Sequence, residues 1–131
     1  MVVTATNSGG YKVALQAGEH SWHSDKPVAE DGTDLGPTPH ELLLGSLAAC
    51  KAITVQMYAQ RKGWPLTGVK VSIGHQHVNG DSPLEKFDGE IRFVGDLTGE
   101  QRQRLHEIAA KCPVHRLLTN AVEINLALAA G

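Results

Sequence analysis

The sequence predicts a mixed fold of paired strands built around one long helix, in the order ββ-α-ββ-αα-β. Three observations predict it. A helical stretch runs from about Pro39 to Lys62 and is closed by Gly63; segments of period-two alternation lie on both sides of it; and an amphipathic stretch behind Thr98 leads straight into Cys112-Pro113. At 131 residues the chain is expected to form a single domain, 1–131, large enough to bury roughly two-thirds of its unfolded surface.

Tyr11 to Ala17 alternates loosely, and Gly18-Glu19 reads as a tight turn into His20–Ser24, which makes an N-terminal hairpin. From Asp25 to Pro39, prolines, glycines and acids resist both helix and sheet and indicate a surface loop, with Asp25, Glu30, Asp31 and Asp34 as solvated acids. Pro39 needs no amide donor in a first helical turn, and Glu41 complements the positive end of the macrodipole. The apolar positions of the helix that follows go almost all the way round it. Such a helix needs protein on more than one side, so it is expected between a sheet and a further layer, such as a second subunit.

Leu66–Val78 and Glu85–Leu97 read as a second hairpin with a turn at Asn79–Pro83. Thr98 caps a shorter helix whose Leu105, Ile108 and Ala109 form one apolar face up to Lys111. Proline at 113 suits the first position of another turn, leaving Cys112 at its cap, and Val122 to Leu128 alternates as a closing strand.

Composition excludes several function classes. Fourteen acidic and twelve basic side chains give a formal charge of −2, with no cluster able to track a phosphate backbone, so nucleic acid is not an expected partner. The N-terminus has no basic region followed by an apolar stretch, and the expected compartment is the cytoplasm. The apolar run from Leu42 to Ala59 is broken by Lys51 and Gln56 and flanked by Glu41 and Arg61, which argues for a buried helix over a membrane span.

Two cysteines, Cys50 and Cys112, stand 62 positions apart. In a reducing compartment such a pair is a set of buried hydrophobes, transient redox partners or metal ligands before it is a permanent disulfide. Cys50 lies inside the long helix, beyond the reach of the terminal dipole, and packs equally well as a small core residue. Cys112, at a helix N-terminus with His115 and Arg116 three and four residues on, is expected to be the more acidic thiol; a plain capping cysteine is the alternative. His20 and His23, His75 and His77, and Cys112 with His115 offer metal-ligand chemistry, but no four-ligand set has a recognisable spacing, and neither a metal nor a cofactor is expected.

The run Gly36-Pro37-Thr38-Pro39-His40-Glu41-Leu42-Leu43-Leu44-Gly45-Ser46-Leu47-Ala48-Ala49-Cys50 resembles the first-cysteine helix of the OsmC/Ohr family, osmotically induced and organic-hydroperoxide-resistance proteins. Lys111-Cys112-Pro113-Val114-His115-Arg116 resembles its second-cysteine motif. The resemblance covers nearly the whole chain and implies an α+β fold in which two subunits intertwine as a homodimer, with the cysteine helices central. It further implies that Cys50 attacks a small organic hydroperoxide, that Cys112 resolves the sulfenic acid as a disulfide, and that a dithiol reductant closes the cycle. In the peroxidase branches an N-terminal arginine meets a glutamate near the start of the cysteine helix. Here Tyr11–Pro27 contains no arginine, and the glutamate position falls on His40, with Glu41 one residue later and about 100° around the helix. The chain thus resembles the less characterised OsmC-like branches more than Ohr proper.

The expected function is a thiol-dependent hydroperoxide reductase with Cys50 as nucleophile, Cys112 as resolving thiol, and Glu41, His40, His115 and Arg116 as tuning residues. Arg116, one helical turn beyond Cys112, is expected to supply the activating charge. The alternative is a non-catalytic protein that holds a small hydrophobic ligand in an intersubunit pocket, with both cysteines as packing residues.

Overall fold

A computed structural model describes residues 1–130 as two compact units, Met1–Gly45 and the chain from Ser46 onward. The first unit is a three-stranded antiparallel sheet in the order β1-β2-β3, followed by a loop and the start of a helix. Strand β2 (Val13–Ala17) pairs with β3 (His20–Ser24), as the hairpin predicts, with Val13, Leu15 and Ala17 half-buried on one face. The additional strand β1 (Thr4–Asn7) is a correction. It is exposed along its whole length and so carries no alternation, and its signals are β-branched residues followed by a turn at Asn7-Ser8-Gly9-Gly10. The Asn7 side chain ties that turn, donating to the carbonyls of Gly10 at 3.1 Å and Lys12 at 2.9 Å.

The loop contains one short 3₁₀ turn, Val28–Glu30. Asp25 is not a solvated acid as expected but only 2% exposed. Its carboxylate accepts from the Thr33 hydroxyl, from the amides of Lys26 at 2.7 Å and Leu35 at 3.2 Å, and from the Thr33 amide at 3.3 Å. The loop is wound around this one acceptor, and those donors, the Thr33 hydroxyl foremost, hold its pKa down at about 2.

Helix α1 spans Pro39–Lys62, the predicted bounds. Thr38 and Glu41 close a reciprocal box at its start: the Glu41 carboxylate accepts from the Thr38 amide at 3.0 Å, and the Thr38 hydroxyl from the Glu41 amide at 3.2 Å. At its end Gly63, with φ of 70°, lets its own amide reach the Gln60 carbonyl and that of Trp64 the Ala59 carbonyl. These are the two bonds of a Schellman stop, which needs a left-handed residue at that position.

In the second unit α1 is followed by an antiparallel hairpin of β4 (Leu66–Val78) and β5 (Leu84–Gly95). A Cβ on Gly89 would fall 1.9 Å from the Ser72 carbonyl oxygen, so the register Ile73↔Gly89 requires glycine. Strand β5 stops two residues short of the expected Leu97, where Gly95 turns the chain with φ of 145°. Helix α2 (Gly99–Ala109) starts with a complete capping box between Thr98 and Gln101. It ends two residues before Lys111, because the Ala110 and Lys111 amides tighten onto carbonyls three residues back. Helix α3 spans Pro113–Leu118 with Cys112 as its N-cap.

The core joins Val55 and Ala59 of α1 to Leu105, Ile108 and Ala109 of α2, with Val69, Ile91 and Phe93 of the hairpin packed against them. Leu47, Val55 and Ala59 form the buried stripe of α1, whereas Ile53 and Met57 are 60% and 57% exposed. Within one chain the all-round apolar helix is therefore covered on one side. By length and composition α1 could also span a bilayer, a test that buried helices of water-soluble folds pass equally.

The expected closing strand is absent: residues 121–130 form no regular structure, with Leu126 and Leu128 almost fully exposed. The alternation is genuine, but a strand needs an edge to complete its ladder, and no described residue of the same chain supplies one.

Candidate functional site: a paired thiol beside an apolar cavity

Cys50 and Cys112 are both free thiols, and the second unit brings them together. Cys50 sits half-buried in the middle of α1, one residue before Lys51. Cys112 is the fully buried N-cap of α3, held by Pro113 in an extended conformation with φ of −71° and ψ of 145°. Cys50 lies close enough to Cys112 to raise the pKa of its thiol.

The expectation that Cys112 is the more acidic thiol is corrected for its own part: burial pushes its pKa above the ordinary thiol value. The His115 amide at the helix start does favour the thiolate, as a helix N-terminus should, but desolvation outweighs it. The neighbouring Cys50 side chain also favours the protonated form of Cys112.

The cation acting on Cys112 is Lys51. Its Nζ donates to the Ala109 carbonyl at 2.9 Å and lies 3.0 Å from His115 Nδ1. Sequence reasoning treated Lys51 only as a break in an apolar run. The signal that finds it is spacing: Lys51 falls four residues after Leu47 and four before Val55, on the buried stripe itself, where an ammonium must have partners.

Of the other expected residues, His115 is half-buried and joined to Lys51, whereas Arg116 is exposed on α3, its carbonyl accepting from Asn120. Glu41 and His40 lie in the first turn of α1, in the first unit, and the Glu41 carboxylate is bound up with Thr38. Its pKa is lowered by that bond to the Thr38 amide and by the Thr38 hydroxyl. His75 and His77 share Glu85 across the hairpin, at 2.5 and 2.6 Å, and this cross-strand bond favours the protonated form of His77. Among the described residues no cluster of three such side chains is placed to hold a metal ion.

A cavity of about 470 Å³ opens beside the thiol pair. Val71, Ile73, Phe87 and Ile91 of the hairpin form an apolar wall, facing Lys51 and His115, the neighbours of the two cysteines. The residues that line it belong to the second unit.

An α+β fold in which a long helix and a short helix cap each present a cysteine to the other defines a class of two-thiol proteins. The sequence matches the family of OsmC-like proteins over residues 32–127, and the chain belongs to that family. Its fold is the OsmC/Ohr fold. An OsmC-like protein from Mycoplasma pneumoniae superposes with a TM-score of 0.76 at 17% identity, over 89% of this chain and 85% of that one. The organic hydroperoxide resistance protein OsmC of Legionella pneumophila gives 0.65 at 15% identity, covering 90% and 88%. The organic hydroperoxide resistance protein OhrB of Bacillus subtilis gives 0.65 at 18%, covering 90% and 89%. No curated protein matches the chain in sequence.

Proposed function

We propose that this protein is a thiol-dependent organic hydroperoxide reductase. The observation that carries the reading is the pair of neighbouring free thiols next to an apolar cavity. The names of the Legionella and Bacillus relatives point the same way. The Cys50 thiolate attacks one peroxide oxygen, the O–O bond breaks, an alcohol leaves with a proton, and Cys50 is left as a sulfenic acid. Cys112 then attacks the Cys50 sulfur, releasing water and forming a disulfide before a second peroxide can drive the sulfur to sulfinic acid. A dithiol reductant returns both thiols. The cavity wall of Val71, Ile73, Phe87 and Ile91 favours an organic peroxide over hydrogen peroxide.

The working form is a homodimer in this reading. Ile53 and Met57 on α1, with Ile124, Leu126 and Leu128 near the C-terminus, expose apolar surface that a second copy would cover.

The test is to add a slight excess of cumene hydroperoxide to the reduced protein. Loss of two thiols per chain within seconds, with Cys50 and Cys112 linked within one chain on peptide mapping, supports the reading. Oxidation no faster than that of a free cysteine overturns it and leaves a protein that binds a small apolar ligand in the same cavity.

A further inference from the structure

We propose that Lys51 is a positioning residue for the resolving thiol: one ammonium group clamps the chain on both sides of Cys112 and supplies the positive charge under which Cys112 attacks Cys50. The geometry carries it. Lys51 Nζ reaches Ala109 O at 2.9 Å and His115 Nδ1 at 3.0 Å, three residues before and three after Cys112. Lys51 also follows Cys50 directly in α1. A single side chain thus ties the helix that bears the first thiol to both ends of the corner that bears the second. The His115 ring accepts from the ammonium through Nδ1, which places its own proton on Nε2.

Disulfide formation requires a thiolate, and burial holds Cys112 protonated. In the resolving step Cys112 loses its proton to solvent, its sulfur attacks the Cys50 sulfur, the S–S bond forms and the S–O bond of the sulfenic acid breaks. Hydroxide leaves and takes up a proton as water. The organic hydroperoxide of the proposed reaction has already supplied the oxidising equivalents. The developing negative charge at Cys112 lies in a buried site, where the nearby fixed cation counts for more than it would in water. The titratable groups around this position are Cys50 and Lys51 from α1 and His115 from α3; His106 of α2 and Glu85 and Glu90 of β5 line the adjoining cavity. The catalytic role rests on the reductase reading, but the clamp can be tested without it.

Ellman's reagent, 5,5′-dithiobis(2-nitrobenzoate), serves as the probe. Cys50 displaces one thionitrobenzoate and becomes a mixed disulfide, and attack by Cys112 on the Cys50 sulfur releases the second. The second phase therefore reports the resolving step alone. In Lys51→Met this phase is expected to be about tenfold slower at pH 7, with its pH profile moved up by about one unit, because one unit of thiol pKa is a tenfold change in thiolate. The first phase should slow less than the second, and Lys51→Arg should restore the second. With cumene hydroperoxide, Lys51→Met should accumulate sulfinic acid at Cys50, detected by mass. Three results would each overturn the proposal: a wild-type second phase in Lys51→Met, equal slowing in Lys51→Met and Lys51→Arg with equally lowered Tm, or release of a single thionitrobenzoate by the wild-type protein. If exchange is completed with the expected Lys51 dependence and hydroperoxide is ignored, the clamp stands and the reductase reading falls.

Discussion

Asp25 in the first unit and Cys112 in the second are both almost completely buried ionisable groups, 2% and 0% exposed, yet their pKa values move in opposite directions. Asp25 is encircled by three amides and a hydroxyl, all of which bond best to the carboxylate. At Cys112, burial and the neighbouring Cys50 raise the pKa more than the His115 amide and the Lys51 charge lower it. Burial alone does not fix the charge of a group; the number of donors turned towards it does. Asp25 is built to stay charged and hold a loop, whereas the surroundings of Cys112 keep its thiol neutral.

The largest effect expected from breaking this contrast is at Asp25. Asp25→Ala would leave the amides of Lys26, Thr33 and Leu35 facing a small apolar side chain, and buried donors without acceptors cost more than the bonds gained by making them. The expected fall in Tm is on the order of 10 °C, read by calorimetry. Asp25→Asn keeps one carbonyl oxygen and should lose less. A Tm within two or three degrees of wild type for Asp25→Ala would mean that the loop folds without its acceptor.

Neither property of Asp25 was legible in the sequence, because its donors lie in an irregular loop whose path no periodicity records. Helix α1 was legible to the residue, since Pro39 and Gly63 punctuate it through backbone chemistry that is purely local. The same holds for Thr98, which caps α2 through its immediate neighbours. The meeting of Cys50 with Cys112 came from a family resemblance and not from the residues alone. Lys51 was overlooked for a related reason: its partners are Ala109 and His115, 58 and 64 residues away. The C-terminal alternation from Val122 to Leu128 was read correctly as a pattern and wrongly as an element, because a pattern belongs to one segment and a ladder to two.

A smaller effect separates the two groups by pH. Asp25 has a folded pKa below its unfolded value of 3.8, so its contribution to stability is fully present above that value. It is lost as pH falls from about 4 through about 2, where the folded carboxylate takes up its proton. Asp25→Asn should therefore flatten the acid limb of a Tm-against-pH curve between those values and leave the neutral region parallel to wild type. An acid limb as steep in Asp25→Asn as in wild type would assign it to other carboxylates.

The smallest effect is expected at Cys112, on the opposite limb. Its folded pKa is raised, so below the unfolded thiol value of 9.0 both states hold the proton and the group adds no pH dependence. Above 9.0 the unfolded chain releases the proton while the folded chain keeps it, and stability falls until the folded thiol also ionises. Cys112→Ala removes a small buried side chain of apolar character, a loss of about 1 kcal/mol at neutral pH. That loss should shrink as the pH is raised past 9, because the wild-type protein alone bears the penalty of holding a neutral thiol against an alkaline solvent. Denaturant titrations at pH 7 and pH 10 measure it. A difference between the two proteins that is constant across that range would show the Cys112 thiol ionising as freely in the folded chain as in the unfolded one, and the contrast with Asp25 would disappear.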